Sequence, residues 1–203
     1  MTKKSISKIL LRSSTALLGI GLTLGISYGI WLLTPHPVTH DPIYRSAQLP
    51  AWLLNHFVQS KHIQTIINLR GAHPSAHWYQ KEIAIAQRYH VHHYDVALSS
   101  YQLPSPKQLD TLATLLTHAP KPMLIHCLSG ADRAGFASAI AMILNGNASL
   151  SASTQQFSLA YLVTSKHSIG RLAFTHYTQW LITHHLTHST AHFQRWIHSK
   201  HPF

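Results

Sequence analysis

Apolar residues between positions 43 and 146 follow two alternating patterns. Short runs rich in β-branched and large aliphatic side chains predict buried strands, and longer stretches with apolar positions three to four residues apart predict helices. The predicted strands are Ile43–Leu49 (a short edge strand and turn), Gln64–Arg70, Val91–Leu98 and Lys121–Cys127. Because strands and helices alternate, the pattern predicts an α/β fold with a small, mostly parallel central sheet flanked by helices.

Two of the predicted helices carry signals for their ends. Ser105, Pro106 and Gln108 fit the N-cap, N1 and N3 positions of a helix that continues as "KQLDTLATLLTHA". The later stretch "AGFASAIAMILNG" predicts a helix closed by Asn145–Gly146. From Leu150 onward the pattern predicts two more helices, so the folded domain is expected to span residues 43–203 with a helical C-terminal extension.

The first 42 residues have a different character. Residues 1–12 carry four cations, whereas residues 13–35 carry no charge and are mostly apolar. A helix of about 20 residues reaches about 30 Å, the thickness of a hydrocarbon core, so we expect a single-pass transmembrane anchor over 13–35, with a cleavable signal peptide as its rival. The preceding cations predict a cytosolic N-terminus and an extracytoplasmic (periplasmic) domain at the cell membrane. Residues 36–42, punctuated by proline, predict a linker.

The charge balance is strongly basic. The chain has 16 Lys and Arg against 5 Asp and Glu, with 19 histidines, for a formal charge of +11. Such a surface suits anionic partners, although a solubilising basic face with no specific partner explains the same count. The sequence contains no zinc-finger spacing, basic heptad helix or aromatic RNA-binding signature, so a nucleic-acid partner is not expected.

The single cysteine lies in "LIHCLSGADRAGF" (124–136), between a predicted strand and a predicted helix. One cysteine excludes an intramolecular disulfide and a Cys-pair metal site, leaving a small buried hydrophobe or a reactive thiol. A strand–loop–helix turn aims backbone N–H groups and the positive helix end at one point, which favours the Cys127 thiolate. Arg133 can bring a planar guanidinium to the same point. Together these groups predict a phosphate site with a nucleophile beneath the phosphorus.

The stretch "HCLSGADRAG" resembles the His-Cys-x5-Arg signature of the cysteine-dependent protein tyrosine phosphatase superfamily. Residues 41–146, through "IYRSAQL", "TIINLRG" and "YDVALSS", are similar to its compact bacterial dual-specificity-like branch. The resemblance implies hydrolysis of phosphate monoesters without a metal or other cofactor, with a phosphorylated protein or a small or lipid phosphate ester as substrate. It implies that Cys127 is the nucleophile, that Arg133 holds the phosphoryl oxygens and that His126 tunes the cysteine. Phosphate-binding backbone donors would come from Leu128, Ser129, Gly130, Ala131 and Asp132.

An aspartic acid in this family protonates the leaving oxygen, and the chain has five carboxylates. Asp41 falls in the predicted linker, and Glu82 and Asp110 fall on ordinary helices. Asp95 ends a strand 32 residues before Cys127, close to where compact dual-specificity phosphatases carry their acid. Asp132 lies in the loop itself, as in some lipid-directed relatives. We expect Asp95 to be the acid and keep Asp132 as the alternative.

Two positions depart from the family pattern. Ala134 stands where a Ser or Thr usually helps the thiolate leave, which predicts slow hydrolysis of the phosphoenzyme. Leu128 stands where many relatives have lysine, so a polyphosphoinositide preference has less support. Because of Ala134, a pseudo-phosphatase that binds phosphorylated partners is an alternative to the phosphatase. A rhodanese-like sulfur transferase is a third hypothesis, which the His-Cys-x2-Gly pattern and Asp95 disfavour.

Other polar residues have less specific interpretations. Arg45 and Arg70 are interpreted as structural or rim residues. His184 and His188, one helical turn apart, could hold a metal, but a solvent-facing helix of biased composition explains them better.

Overall fold

A five-stranded sheet forms the centre of the molecule in the computed structural model, which describes residues 19–28, 30–31, 34–199 and 202–203. Its strands are β1 (His36–Pro37), β2 (Ile43–Ser46), β3 (Thr65–Asn68), β4 (His92–Asp95) and β5 (Met123–His126). The order across the sheet is β1-β2-β5-β3-β4. β1 is antiparallel to β2, and the other neighbouring pairs are parallel. The prediction of a mostly parallel sheet in an α/β fold is thus confirmed, since β2, β5, β3 and β4 are parallel.

The register brings the carboxyl ends of the parallel strands to one edge. Ser46 and Asn68 both pair with His126, and Asn68 also pairs with Asp95. Residues that directly follow these strands therefore meet at a single edge, where ligands bind in open parallel sheets.

Helices cover both faces of the sheet. Helices α1 (Ala51–Ser60) and α2 (His77–Arg88) pack on one face, with Ile66 and Leu124 in a shared apolar cluster. The other face carries α3 (Pro106–His118), α4 (Asp132–Gly146), α5 (Leu150–Thr154), α6 (Ile169–Thr183) and α7 (Thr190–Ile197). Two short 3-10 helices, Gln155–Phe157 and Leu159–Tyr161, connect α5 to α6. The core lies mainly on this second face, around the buried helix α4.

The predicted helix ends agree with the structure at α3 and nearly so at α4. Ser105 Oγ accepts from the Gln108 N–H at 3.2 Å, and the Gln108 side chain accepts from the Ser105 N–H at 2.8 Å, which forms a capping box. Helix α4 continues through Gly146 and is capped by Asn147 in the left-handed conformation (φ 48°). Asparagine tolerates this conformation, so it closes the helix as glycine often does.

Two further expectations need adjustment. The predicted linker 36–42 contains β1, so β2 is covered by an antiparallel partner and is not the sheet edge. Within the described residues, the C-terminal extension has three α-helices and two 3-10 helices in place of the two predicted helices.

The predicted transmembrane anchor over 13–35 is wrong. Among the described residues, no helix has the length and apolar character needed to cross a membrane. Residues 19–28 are helical and rise about 15 Å, roughly half of a hydrocarbon core. Tyr28 donates to the Ala160 carbonyl at 2.6 Å, and Trp31 stacks on Tyr161 with ring centroids 5.6 Å apart. Residues 13–18, 29, 32 and 33 of that prediction lie outside the described residues, and the domain's location stays a prediction.

Candidate active site

Cys127 follows β5 directly and begins a five-residue turn, Cys127–Ala131, that leads into α4; we call it the cysteine loop. The Cys127 side chain is 1% exposed and is not in a disulfide. Gly130 has φ +71°, and a Cβ there would lie 2.7 Å from the Ala47 nitrogen. The Gln48 N–H also donates to the Leu128 carbonyl at 3.1 Å. The loop is thus seated on the β2–α1 turn, and glycine is required where the two backbones meet.

Arg45, on β2, lies beneath this loop and is 2% exposed. Its guanidinium donates to the Gly130 carbonyl and, at 3.3 Å, to the Ala131 carbonyl. It also donates to the Gln156 carbonyl at 2.7 Å and lies 3.8 Å from the Tyr161 ring centroid. Burial lowers the pKa of Arg45 to about 10, so the group stays charged at neutral pH. Arg45 therefore holds two loop carbonyls and adds positive charge below Cys127.

Arg133 is the second residue of α4 and is half-buried. Its Nη1 atom donates to the Leu98 carbonyl at 3.4 Å, a long hydrogen bond. Its Nε atom is buried and has no hydrogen-bond partner among the described residues. Because a buried donor without a partner is costly, the geometry leaves Arg133 ready to donate to an anionic ligand.

Glu82, which the sequence assigned to an ordinary helix, is the centre of a buried network on the α2 face. Its Oε1 atom accepts from His126 Nε2 at 3.1 Å and from His93 Nε2 at 2.9 Å, and Oε2 accepts from the Gln48 side chain at 2.9 Å. Burial acts to raise the pKa of Glu82, but these hydrogen bonds and the charge of His126 outweigh it and hold the pKa well below its usual value. Glu82 thereby fixes the ring of His126, the residue before the thiol.

Glu82 carried a signal that sequence reasoning missed. Tyr79, Glu82, Ile85 and Ala86 are the buried residues of α2 and follow helical spacing. A carboxylate on the apolar side of an amphipathic helix must find partners, so its position alone indicates a buried polar site.

Asp95 lies at the end of β4, on the same side of the sheet as His93. Its Oδ1 accepts from the Asn68 amide at 2.7 Å, and its Oδ2 accepts from the Tyr79 hydroxyl. Burial and this contact raise the pKa of Tyr79 to about 12, so the phenol remains a donor. Both carboxylate oxygens of Asp95 are therefore already engaged by the protein.

Asp132 is the first residue of α4 and is half-buried. Burial raises its pKa, against the opposing effects of its own backbone N–H and of Arg133 and Arg171. Its carboxylate makes no ion pair within the part of the chain that the structure describes. Because its pKa is raised and it directly follows the cysteine loop, Asp132 is a candidate proton donor.

Arg70 lies at the rim, just beyond β3. Its Nη1 donates to Gln48 Oε1 at 3.2 Å, and its guanidinium lies 3.9 Å from the Trp78 ring centroid. Leu128, on the loop, is 58% exposed, whereas Ala134 is fully buried in α4.

The two histidines that could have held a metal, His184 and His188, have different partners. His184 Nδ1 contacts the Trp180 carbonyl at 2.8 Å, whereas His188 lies between the Tyr177 hydroxyl at 2.9 Å and the Ala148 carbonyl at 3.1 Å. Among the described residues, no three His, Cys, Asp or Glu side chains are grouped to hold a metal.

Comparisons with known proteins agree with this geometry. Residues 54–173 match the family model described as PTP-SAK, "Swiss Army Knife protein, DSP-PTPase phosphatase domain". The core catalytic domain of the PP-IP phosphatase SIW14 from S. cerevisiae is 18% identical, with a TM-score of 0.56, over 76% of this chain and 94% of that one. Tk-PTP in the active form is 17% identical, with a TM-score of 0.52, over 68% and 92%. At these identities the likeness shows the fold. No curated protein matches the chain.

Proposed function

Because the chain belongs to the dual-specificity-type protein tyrosine phosphatase domain family, we propose that it hydrolyses phosphate monoesters through a cysteinyl-phosphate on Cys127. The domain is a protein tyrosine/dual-specificity-type phosphatase. The observation that carries the proposal is the buried Cys127 thiol at the end of β5, under the start of α4 and beside an Arg133 whose Nε has no partner in the described chain.

In the first step, the Cys127 thiolate forms an S–P bond as the ester P–O bond breaks. The phosphoryl oxygens would accept from the backbone N–H groups of residues 128–132 and from Arg133. Arg45 supports this step indirectly, because it binds the loop carbonyls from the opposite side. The leaving oxygen takes the bonding electrons and needs a proton.

Asp132 is the acid that the contacts favour over Asp95. The raised pKa of Asp132 keeps its carboxyl protonated to higher pH, whereas both oxygens of Asp95 are held by Asn68 and Tyr79. Asp95 then acts as a structural anchor between β3, β4 and α2. This reverses the preference expected from sequence spacing.

In the second step, water attacks the phosphorus and gives a proton to the carboxylate that the acid became in the first step, while the S–P bond breaks and the Cys127 thiolate is restored. A hydroxyl after the arginine helps the thiolate leave in related enzymes, and here that position is Ala134. We expect cysteinyl-phosphate to accumulate before it is hydrolysed.

The test is hydrolysis of 4-nitrophenyl phosphate by the full chain, with reductant and EDTA, beside Cys127→Ser. Activity that survives EDTA and is lost in Cys127→Ser, by a factor of about 10⁴ or more, supports the proposal. Folded wild-type protein that binds vanadate without hydrolysis would instead favour the pseudo-phosphatase. Sulfur transfer from thiosulfate to cyanide would point to the rhodanese-like alternative.

The two candidate acids form a matched pair for a second test. Phenyl phosphate has a poor leaving group, so its hydrolysis depends strongly on the acid, whereas 4-nitrophenyl phosphate depends on it weakly. We expect Asp132→Asn to lower kcat on phenyl phosphate about 10²-fold and Asp95→Asn to lower it several-fold at most. The opposite ranking would assign the role to Asp95.

A further inference from the structure

Positive charge around Cys127 is not balanced by the protein's own carboxylates. Arg45, Arg70 and Arg133 surround the thiol from below, from the rim and from the start of α4. None of the three forms an ion pair with any carboxylate in the described chain. The positive charge of three guanidinium groups exceeds the single negative charge that the Cys127 thiolate would supply.

All five carboxylates lie elsewhere or are engaged by other groups. Asp41 pairs with Lys121 at 3.1 Å and Asp110 with His198 at 2.9 Å. Glu82 accepts from histidines and Gln48, and Asp95 accepts from Asn68 and Tyr79. Asp132 remains near Arg133 but makes no ion pair with it. Among the described residues, Arg70 therefore has no carboxylate that pairs with its charge.

The sheet places Arg70 directly beside the cysteine loop. β3 and β5 are neighbours, and the Leu69 N–H donates to the His126 carbonyl at 2.9 Å. Leu69 therefore follows β3 at the level where Cys127 follows β5, and Arg70 is the next residue along the chain. The Arg70 N–H donates to Asn68 Oδ1 at 2.9 Å, which fixes the direction in which its side chain leaves the strand.

Uncharged groups fix the position of the Arg70 guanidinium. One face lies on the Trp78 ring, and Nη1 donates to Gln48 Oε1. Gln48 is itself fixed, because its amide donates to Glu82 and its backbone N–H donates to the Leu128 carbonyl of the cysteine loop. Stacking on an aromatic ring orders a guanidinium without neutralising its charge. Burial and the nearby Arg133 lower the pKa of Arg70, while Cys127 and Glu82 act in the opposite direction.

We propose that Arg70 binds a second anionic group of the substrate, so that the site favours phosphate esters carrying another anionic group next to the scissile phosphate. This rests on the phosphatase function proposed above. Arg133 and the loop N–H groups would take the phosphate over Cys127, and the remaining Nη donors of Arg70 would take the second group. A guanidinium fork suits a phosphoryl group or a carboxylate equally, so the common chemistry is an anionic oxygen pair.

The experiment is calorimetric titration of the full chain with three non-hydrolysable probes. Methylphosphonate presents one anionic group, phosphonoacetate adds a carboxylate, and methylenebisphosphonate adds a second phosphoryl group. We expect wild-type protein to bind one or both of the two-group probes about tenfold or more tightly than methylphosphonate. The better of the two identifies the second group as carboxylate or phosphoryl.

The decisive variant is Arg70→Gln, with Arg88→Gln as the matched control that removes the same charge from the exposed end of α2. Arg70→Gln should reduce the preference for the two-group probe to about twofold, and Arg88→Gln should keep it at the wild-type value. Arg70→Lys, which keeps the charge, should retain part of the preference even if Arg70→Gln folds poorly. No preference in wild-type protein, or equal weakening of all three probes by Arg70→Gln, would overturn the proposal.

Hydrolysis of 4-nitrophenyl phosphate by the same samples separates this proposal from the previous one. A probe preference that depends on Arg70, found without Cys127-dependent hydrolysis, supports the second anion position and overturns the catalytic proposal. Hydrolysis without the preference does the reverse.

Discussion

Two polar clusters meet at the carboxyl edge of the sheet, and they are built in opposite ways. On the α2 face, Glu82 and Asp95 are surrounded by donors from His93, His126 and Asn68, with Tyr79 and Gln48 completing the shell. Around Cys127, the three arginines donate to backbone carbonyls and a neutral amide. The two carboxylates have their partners within the protein, although the buried Nδ1 of His126 has none among the described residues, whereas the arginine cluster lacks its anion.

We infer from this difference that the carboxylate cluster supports structure and that the arginine cluster supports binding. A buried charge with all its partners positions neighbouring groups, and losing one partner leaves the others unsatisfied. A charged group without an opposite partner gains most when a ligand supplies one. Variants in the carboxylate cluster should therefore affect stability first, and variants in the arginine cluster should affect activity first.

The largest effect is expected at Arg45, which belongs to the arginine cluster yet is fully buried. Arg45→Met should lower kcat/KM on 4-nitrophenyl phosphate about 10²- to 10³-fold, because the Gly130 carbonyl loses its Arg45 donor, the Ala131 carbonyl keeps only the Gly135 N–H, and the loop N–H groups lose their alignment. The exposed Arg88→Met is the charge-matched control and should change the rate less than twofold.

Arg45→Met should also lower the free energy of unfolding by about 3 kcal/mol, because the buried carbonyls that Arg45 binds each lose a hydrogen bond. Arg45→Lys separates the two effects, since lysine keeps the charge and one donor but not the fork. A Lys variant with wild-type stability and a tenfold or larger fall in kcat would establish Arg45 as a positioning residue. Wild-type kcat in both variants would show that the loop holds its shape without it.

A smaller effect on activity and a clear one on stability are expected at Glu82. Glu82→Gln removes the charge that accepts from His126, His93 and Gln48 and points an amide at donors. We expect a loss of about 2–3 kcal/mol at pH 7 by urea unfolding, with kcat reduced about tenfold through His126. Asp110→Asn, which makes the same chemical change in the exposed pair with His198, should cost less than about 1 kcal/mol.

The free energy of unfolding should depend on pH differently in wild-type protein and in Glu82→Gln. Hydrogen bonding holds the pKa of Glu82 below its unfolded value of about 4.5, despite the burial that acts to raise it. Its ionisation therefore stabilises the fold above that value, and this contribution is lost as pH falls further. Wild-type protein should lose stability faster than Glu82→Gln between pH 5 and pH 3. Equal slopes would mean that the carboxylate is not the anchor of the cluster.

These two clusters also show what the sequence could and could not predict. The cysteine loop was visible because its residues are contiguous, and the strand–loop–helix order follows from local apolar pattern. Arg45 and Gln48 are far from Glu82 and from the cysteine loop in the chain, and they meet them only in the folded domain, where β2 lies beside β5. The spacing argument favoured Asp95, but spacing does not reveal that Asn68 and Tyr79 occupy its oxygens.

The N-terminal prediction failed for a related reason. Hydropathy depends on the side chains alone and does not include their contacts. Two aromatic side chains of this stretch contact the domain. Tyr28 and Trp31 contact Ala160 and Tyr161, and Tyr161 covers the Arg45 guanidinium. Two aromatic side chains of a stretch that is apolar enough to suggest an anchor therefore contact the domain beside the arginine cluster, whereas its described aliphatic side chains are exposed.

The smallest effect is expected at Ala134, which follows Arg133 of the arginine cluster. A Ser or Thr hydroxyl is usual at this position in the family. Ala134 is fully buried in α4, and serine adds one oxygen at little change in volume. Ala134→Ser should raise the rate of phosphoenzyme hydrolysis about three- to tenfold and leave the rate of phosphorylation unchanged. Rapid-quench kinetics would show a burst in wild-type protein that shrinks in the variant. A wild-type reaction without a burst would mean that dephosphorylation is already fast, and the unpaired charge of the arginine cluster would then be sufficient without the hydroxyl.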